Sequence, residues 1–237
     1  MDRTRLLLMS NSTMVGEKWL GWPEEHIKAF LGPSVRTLFF VPFAGVRMSW
    51  DEYAGMARGR FGEMGFDLVA AHEPSDAAEA LASADAVVIG GGNTWHLIDT
   101  LHRTGLLPLI GEKVRKGAPF VGWSAGSNVA CPTIRTTNDM AVVEPPSTRA
   151  LGIVPFQINP HYTDAHPPGL GGETRADRIL EFVEVNPEVT VIGLPEGDLL
   201  KVEGGKTELV GSFPARLFKK GKEPWDVQPG EDLGFLS

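Results

Sequence analysis

Pro119-Phe120-Val121-Gly122-Trp123-Ser124-Ala125-Gly126-Ser127-Asn128-Val129-Ala130 carries an apolar run into the pattern G-x-S-x-G and leaves it through helix-compatible residues. That order, strand then sharp turn then helix, is the context a nucleophile elbow requires. The reason is steric. A serine on so tight a turn is held in a strained backbone conformation, and small residues on either side let strand and helix approach closely. Its hydroxyl then points into a cleft above the sheet, and the next backbone N–H is free to stabilise an oxyanion. The same pattern also arises by chance and in purely structural Gly/Ser turns, so the rest of the chain has to decide.

Outward from the elbow, residues 6–9, 35–42, 66–70, 86–89 and 189–194 are short apolar runs bounded by Gly, Pro or Asn and read as buried strands. Residues 50–64, 76–83, 95–101 and 174–185 place apolar side chains at helical spacing. The alternation predicts an α/β fold, a mostly parallel sheet flanked by helices. Residues 199–202, 208–210, 215–218 and 225–227 are short, with Gly204-Gly205 and Lys220-Gly221-Lys222 between them. They predict a small antiparallel C-terminal hairpin region appended to the main sheet. There is no internal repeat and no long linker, so residues 1–237 are expected to form a single α/β domain. Pro167-Pro168-Gly169-Leu170-Gly171-Gly172 is expected to be a mobile loop over a site.

The 237 residues, 42% hydrophobic and 22% charged, suit one domain with a sizeable core. A net charge of −8 leaves no cation excess for phosphates, which argues against nucleic-acid and anionic-membrane partners. The one cysteine, Cys131, can form no intrachain disulfide and reads as a small buried thiol. The apolar run at residues 6–9 is far too short for a signal-peptide core or a membrane span, and a soluble cytoplasmic protein is expected.

Gly90-Gly91-Gly92-Asn93 ends one strand and opens a helix, with Asn93 suited to capping. Alone it is a tight turn; beside an elbow serine, its N–H groups near Gly92 would complete an oxyanion hole with that of Ala125. Of the six histidines, His161 in Gln157-Ile158-Asn159-Pro160-His161 is best placed as a base, directly after a strand-like stretch. His166, in the glycine-rich loop, is a weaker rival, and His72, His96 and His102 read as surface or packing residues. The order serine then histidine superficially matches an α/β-hydrolase, but too few βα units fit between Ser124 and His161 for that fold. There is no H-E-x-x-H, no C-x-x-C and no tight His/carboxylate cluster, so no metal is expected, and a serine–histidine mechanism needs no organic cofactor.

Three blocks together, residues 122–126, residues 131–140 (Cys131-Pro132-Thr133-Ile134-Arg135-Thr136-Thr137-Asn138-Asp139-Met140) and residues 157–161, closely resemble the peptidase E family of α-aspartyl dipeptidases. Ser10-Asn11-Ser12-Thr13, Pro42-Phe43-Ala44-Gly45-Val46, Gly172-Glu173-Thr174-Arg175 and Gly193-Leu194-Pro195-Glu196-Gly197 extend the resemblance over nearly the whole chain. It implies a fold similar to class I glutamine amidotransferases, with flavodoxin-like topology and serine in place of their elbow cysteine. It also implies hydrolysis of Asp-Xaa peptides through an aspartyl-enzyme.

On this resemblance Ser124 is the nucleophile and His161 its base. Asp139 matches the charge-relay aspartate, while Glu196, at a strand end, competes with it for the histidine. Arg175 matches the arginine that holds the substrate's aspartyl side chain. From the residues alone Arg175 is a solvated helix residue paired with Glu173 or Asp177, although a cation at a helix start opposes the macrodipole and so hints at a ligand carboxylate. Small aspartyl peptides are the expected partners, and a monomer or weak homodimer the expected state. The alternatives are a cyanophycinase-like β-aspartyl hydrolase and, from another class, a non-catalytic acidic-metabolite-binding protein. Glutamine amidotransferase chemistry is disfavoured, because Cys131 is expected two helical turns beyond the elbow and facing away from the cleft.

Overall fold

The computed structural model describes residues 3–165, 169 and 171–236. His166, Pro167, Pro168 and Leu170, part of the expected loop, lie outside the described residues. The apolar runs become β1 (Arg5–Met9), β2 (Thr37–Val41), β3 (Asp67–Ala70), β4 (Ala86–Ile89) and β5 (Phe120–Trp123), paired in parallel. Successive side chains of β1 enter opposite cores, Leu6 and Leu8 one, Leu7 and Met9 the other. Burial on both faces is why such strands read as unbroken apolar runs rather than as alternation.

One face is covered by α1 (Glu24–Leu31) and α2 (Trp50–Glu63), through Ile27, Phe30, Ala57 and Phe61. The other is covered by α3 (Ala77–Ser83), α4 (Thr94–Arg103) and α5 (Leu106–Arg115), through Leu81, Ile98, Leu101 and Ile110. Local chemistry sets the helix starts: Ser49 and Glu52 form a capping box on α2, and the Asp76 and Asn93 side chains cap α3 and α4. Pro108 sits in the first turn of α5, where a missing N–H costs nothing.

The C-terminal third holds the expected antiparallel hairpins and divides them between two sheets. Two of the expected strands, β8 (Leu199–Glu203) and β9 (Lys206–Val210), form a hairpin that extends the main sheet antiparallel to β1, giving the order β3-β2-β4-β5-β1-β8-β9. The others, β10 (Ala215–Phe218) and β11 (Trp225–Val227), join a second sheet of order β11-β10-β7-β6. Here β6 (Gln157–Asn159) and β7 (Val191–Gly193) run parallel, connected through α7 (Arg175–Val185). A buried apolar run specifies a strand but not the sheet it joins, and so residues 189–194 gave no sign of the second sheet.

The elbow helix, α6 (Ala125–Asn128), is a single turn. Gly126 is forced by close approach: a Cβ there would run into the Ile89 carbonyl oxygen at the end of β4. Cys131 follows α6, fully buried, and burial pushes its thiol up to about 12.

Gly126→Ala is expected to lower the unfolding free energy by about 1–3 kcal/mol in urea denaturation, the usual cost of overpacking; a change within about 0.5 kcal/mol would show that the elbow relaxes freely. Cys131 is expected to resist iodoacetamide in the native protein and to react once guanidinium is added. Rapid native alkylation would contradict its place in the core.

Candidate active site

The carboxyl ends of the parallel strands open into a cleft of about 710 Å³, where ligands of open α/β sheets bind. Asn11 to Thr13 follow β1, Ala44 to Met48 follow β2, Gly91 to Asn93 follow β4, and Ser124 follows β5. Four loops from one sheet edge thus line one space.

Ser124 has φ 52° and ψ −114°, a conformation few non-glycine residues adopt. It is held there by its own N–H, which donates to the Met9 carbonyl at 3.0 Å, and by the packing of Gly126 on β4. Strain of this kind persists only where the surroundings over-determine it. Ala125 is the first residue of α6, so its N–H has no carbonyl one turn behind to bond. Gly92 faces the same cleft with φ 134°, and a Cβ there would strike the Ala44 carbonyl oxygen. The glycine loop is pinned from beneath by the buried Tyr53, whose hydroxyl donates to the Gly91 carbonyl at 3.1 Å.

His161 reaches Ser124 from the second sheet. β6 and β7 are in parallel register, Asn159 opposite Gly193, so the segments leaving them emerge side by side. They carry His161 and Glu196. His161 Nε2 lies 2.8 Å from Ser124 Oγ, and His161 Nδ1 lies 2.6 Å from Glu196 Oε1. A carboxylate on Nδ1 selects the tautomer whose Nε2 lone pair faces the serine hydroxyl. The turn after Glu196 is fixed by Asn11, whose side-chain oxygen accepts from the Gly197 N–H at 2.9 Å.

Asp139 is placed differently from the charge-relay position the resemblance gave it. Its Oδ2 accepts from the Thr94 N–H at 2.7 Å, the Thr94 hydroxyl at 2.5 Å and the Thr137 hydroxyl at 3.1 Å. It therefore sits on the N-terminus of α4, where the helix dipole favours an anion, while Glu196 takes the histidine. Asp139 still lines the cleft.

Arg175 is half-buried at the start of α7, outside the lining of the cleft. Its guanidinium donates to the Pro160 carbonyl at 3.4 Å, next to His161. Burial presses its pKa down and the Glu196 charge opposes that. The pairing with Glu173 or Asp177 read from the sequence is not what the structure gives it: Glu173 pairs instead with Arg178, and Asp177 closes the capping box of Thr174. Three other histidines make local contacts: His72 meets Asp51, His96 the Phe43 carbonyl and His102 the Arg149 carbonyl.

Ser10, Asn11, Tyr53 and Arg47 carry the site or line it without having been singled out in the sequence. Ser10 and Asn11 stand in a block quoted only for resemblance, and nothing local marks Tyr53 or Arg47. Among the described residues no helix is long and apolar enough to cross a membrane.

The model of peptidase family S51 matches residues 6–210. Over 98% of its length the chain is 49% identical to a peptidase E of Nostoc sp., covering 96% of that protein. It is 44% identical to a peptidase E of Citrobacter koseri over 95% of its length and 98% of the relative's. The crystal structure of a peptidase from an acI-B1 actinobacterium, 20% identical, shares the fold with a TM-score of 0.71 over 97% of this chain and 96% of that one. Matched over most of its length by the family model and nearly end to end by peptidases E, this chain belongs to peptidase family S51 and is a peptidase.

Proposed function

We propose that this peptidase is a serine-type α-aspartyl dipeptidase, acting on Asp-Xaa through an aspartyl-enzyme. The observation that carries the serine mechanism is the unbroken chain Ser124 Oγ, His161 Nε2, His161 Nδ1, Glu196 Oε1, with links of 2.8 and 2.6 Å on a strained elbow. His161 takes the Ser124 proton as the oxygen attacks the aspartyl carbonyl. Glu196 stabilises the imidazolium that results. The oxyanion is held by backbone N–H groups at Ala125 and near Gly92. His161 then gives its proton to the departing amine, and water, deprotonated by the same histidine, releases aspartate.

The preference for aspartate is assigned to Arg175. A half-buried guanidinium with one long hydrogen bond has donors to spare for a carboxylate, bound through its planar fork. A neutral side chain in the same place would leave the guanidinium under-satisfied, and an enzyme discriminates strongly by such a mismatch.

Purified enzyme is expected to hydrolyse Asp-Leu but not Leu-Leu or β-Asp-Leu, with Ser124→Ala lowering kcat by about a million-fold. Arg175→Ala should lower the preference for Asp-Leu over Asn-Leu by roughly a hundredfold. Cleavage of β-Asp-Leu alone would replace this reading with the cyanophycinase-like one. Saturable aspartate binding without turnover, unaffected by Ser124→Ala, would replace it with a binding protein.

A further inference from the structure

The cleft has a charged lip that the mechanism leaves unused. Among the described residues lining it, Arg47 is the one with a Lys or Arg side chain. Elsewhere the chain anchors such side chains on carboxylates: Arg58 on Glu73, Arg60 on Glu24 and Glu63, Arg103 on Asp99. Arg47 is exposed and, among the described residues, makes no hydrogen bond or ion pair. Beside it on the same lip stand Val46, Met48 and Met56, which are 54%, 38% and 45% exposed. Large apolar side chains gathered at a cleft mouth around one unpaired cation describe a ligand that is both apolar and anionic.

We propose that Arg47 binds the free carboxylate of the residue that leaves, and that Val46, Met48 and Met56 hold that residue's apolar side chain. The inference rests on the aspartyl dipeptidase reading and adds to it what sits on the leaving side. In a dipeptide the terminal carboxylate lies one residue, roughly 3.5 Å, beyond the scissile bond, so it must share the cleft with Ser124. The aspartyl residue, with an ammonium and a carboxylate, has no use for a wall of methionine; a leucine or phenylalanine in second place has. Exposure separates the two arginines. A solvated cation such as Arg47 discriminates weakly, which suits a preference for dipeptides over longer chains, while the less solvated Arg175 suits strict selection of aspartate.

The test compares kcat/KM for Asp-Leu, Asp-Leu amide and Asn-Leu in the wild type, Arg47→Ala and Arg47→Lys. Wild type is expected to prefer the free acid to the amide by about fivefold, the scale of an exposed ion pair. Arg47→Ala should bring that ratio close to one, chiefly by raising KM for Asp-Leu, and Arg47→Lys should restore part of it. The preference for Asp-Leu over Asn-Leu should stand in both variants. An acid-to-amide ratio unchanged in Arg47→Ala would overturn the inference and leave the dipeptidase reading intact. Collapse of the Asp-to-Asn preference in Arg47→Ala would also overturn it, by assigning Arg47 to the aspartyl side chain. Failure of the wild type to cleave Asp-Leu would overturn the dipeptidase reading, and this inference with it.

Discussion

A single buried hydroxyl ties the two sheets together at the point where the chemistry needs them joined. Ser10, at the end of β1, accepts the His161 N–H at 2.8 Å and donates to the Leu194 carbonyl at 2.8 Å, while its own N–H donates to the Asp198 carbonyl at 3.0 Å. Ser124 stands at the end of a strand of the main sheet, and His161 and Glu196 follow strands of the second. Two further hydrogen bonds join the same parts, the Gly197 N–H to Asn11 Oδ1 at 2.9 Å and the Asn128 side-chain amide to the Ile158 carbonyl at 2.8 Å, but Ser10 is the clamp that holds the His161 backbone directly. Being fully buried, Ser10 has no water to take over either bond, so the clamp is costly to break.

The same end of the molecule concentrates backbone strain. Ser124 and His161 both have positive φ, 52° and 55°, although neither is glycine. In each case the conformation turns a side chain out of its strand axis and toward the other. The compensating contacts are the Ser124 N–H on the Met9 carbonyl, the His161 N–H on Ser10, and Gly126 against β4. Ser124 and His161 are therefore held in place by the backbone, the preorganisation that the proposed serine chemistry requires.

Much of this was legible in the sequence because it is local. An apolar run of four or five residues ending in G-x-S-x-G specifies a strand, a turn and a helix without reference to anything distant, and Ser124 follows from it. The parallel sheet was legible for the same reason, through alternation of runs and amphipathic stretches. What the sequence withheld is long-range pairing. β8 and β10 are both short strands bounded by turns, and their separate sheets depend on partners far away in the chain, β1 for one and β7 for the other. The choice between Asp139 and Glu196 is of this kind too. Both are carboxylates near turns, and only the parallel register of β6 and β7 brings one of them to His161.

In the proposed triad Glu196 orients His161, while Asp139 braces the start of α4. The most direct test of this assignment is kcat on Asp-Leu for the matched pair Glu196→Gln and Asp139→Asn, each replacing a carboxylate by its amide. An amide at position 196 can present the wrong group to Nδ1 and hold the ring in the wrong tautomer, a defect worth about 10⁴ in kcat in a serine triad. Glu196→Gln is therefore expected to lower kcat at least tenfold more than Asp139→Asn does, since an amide at position 139 keeps an oxygen for the Thr94 N–H. A loss in Asp139→Asn equal to or greater than that in Glu196→Gln would contradict the assignment and return the relay to Asp139.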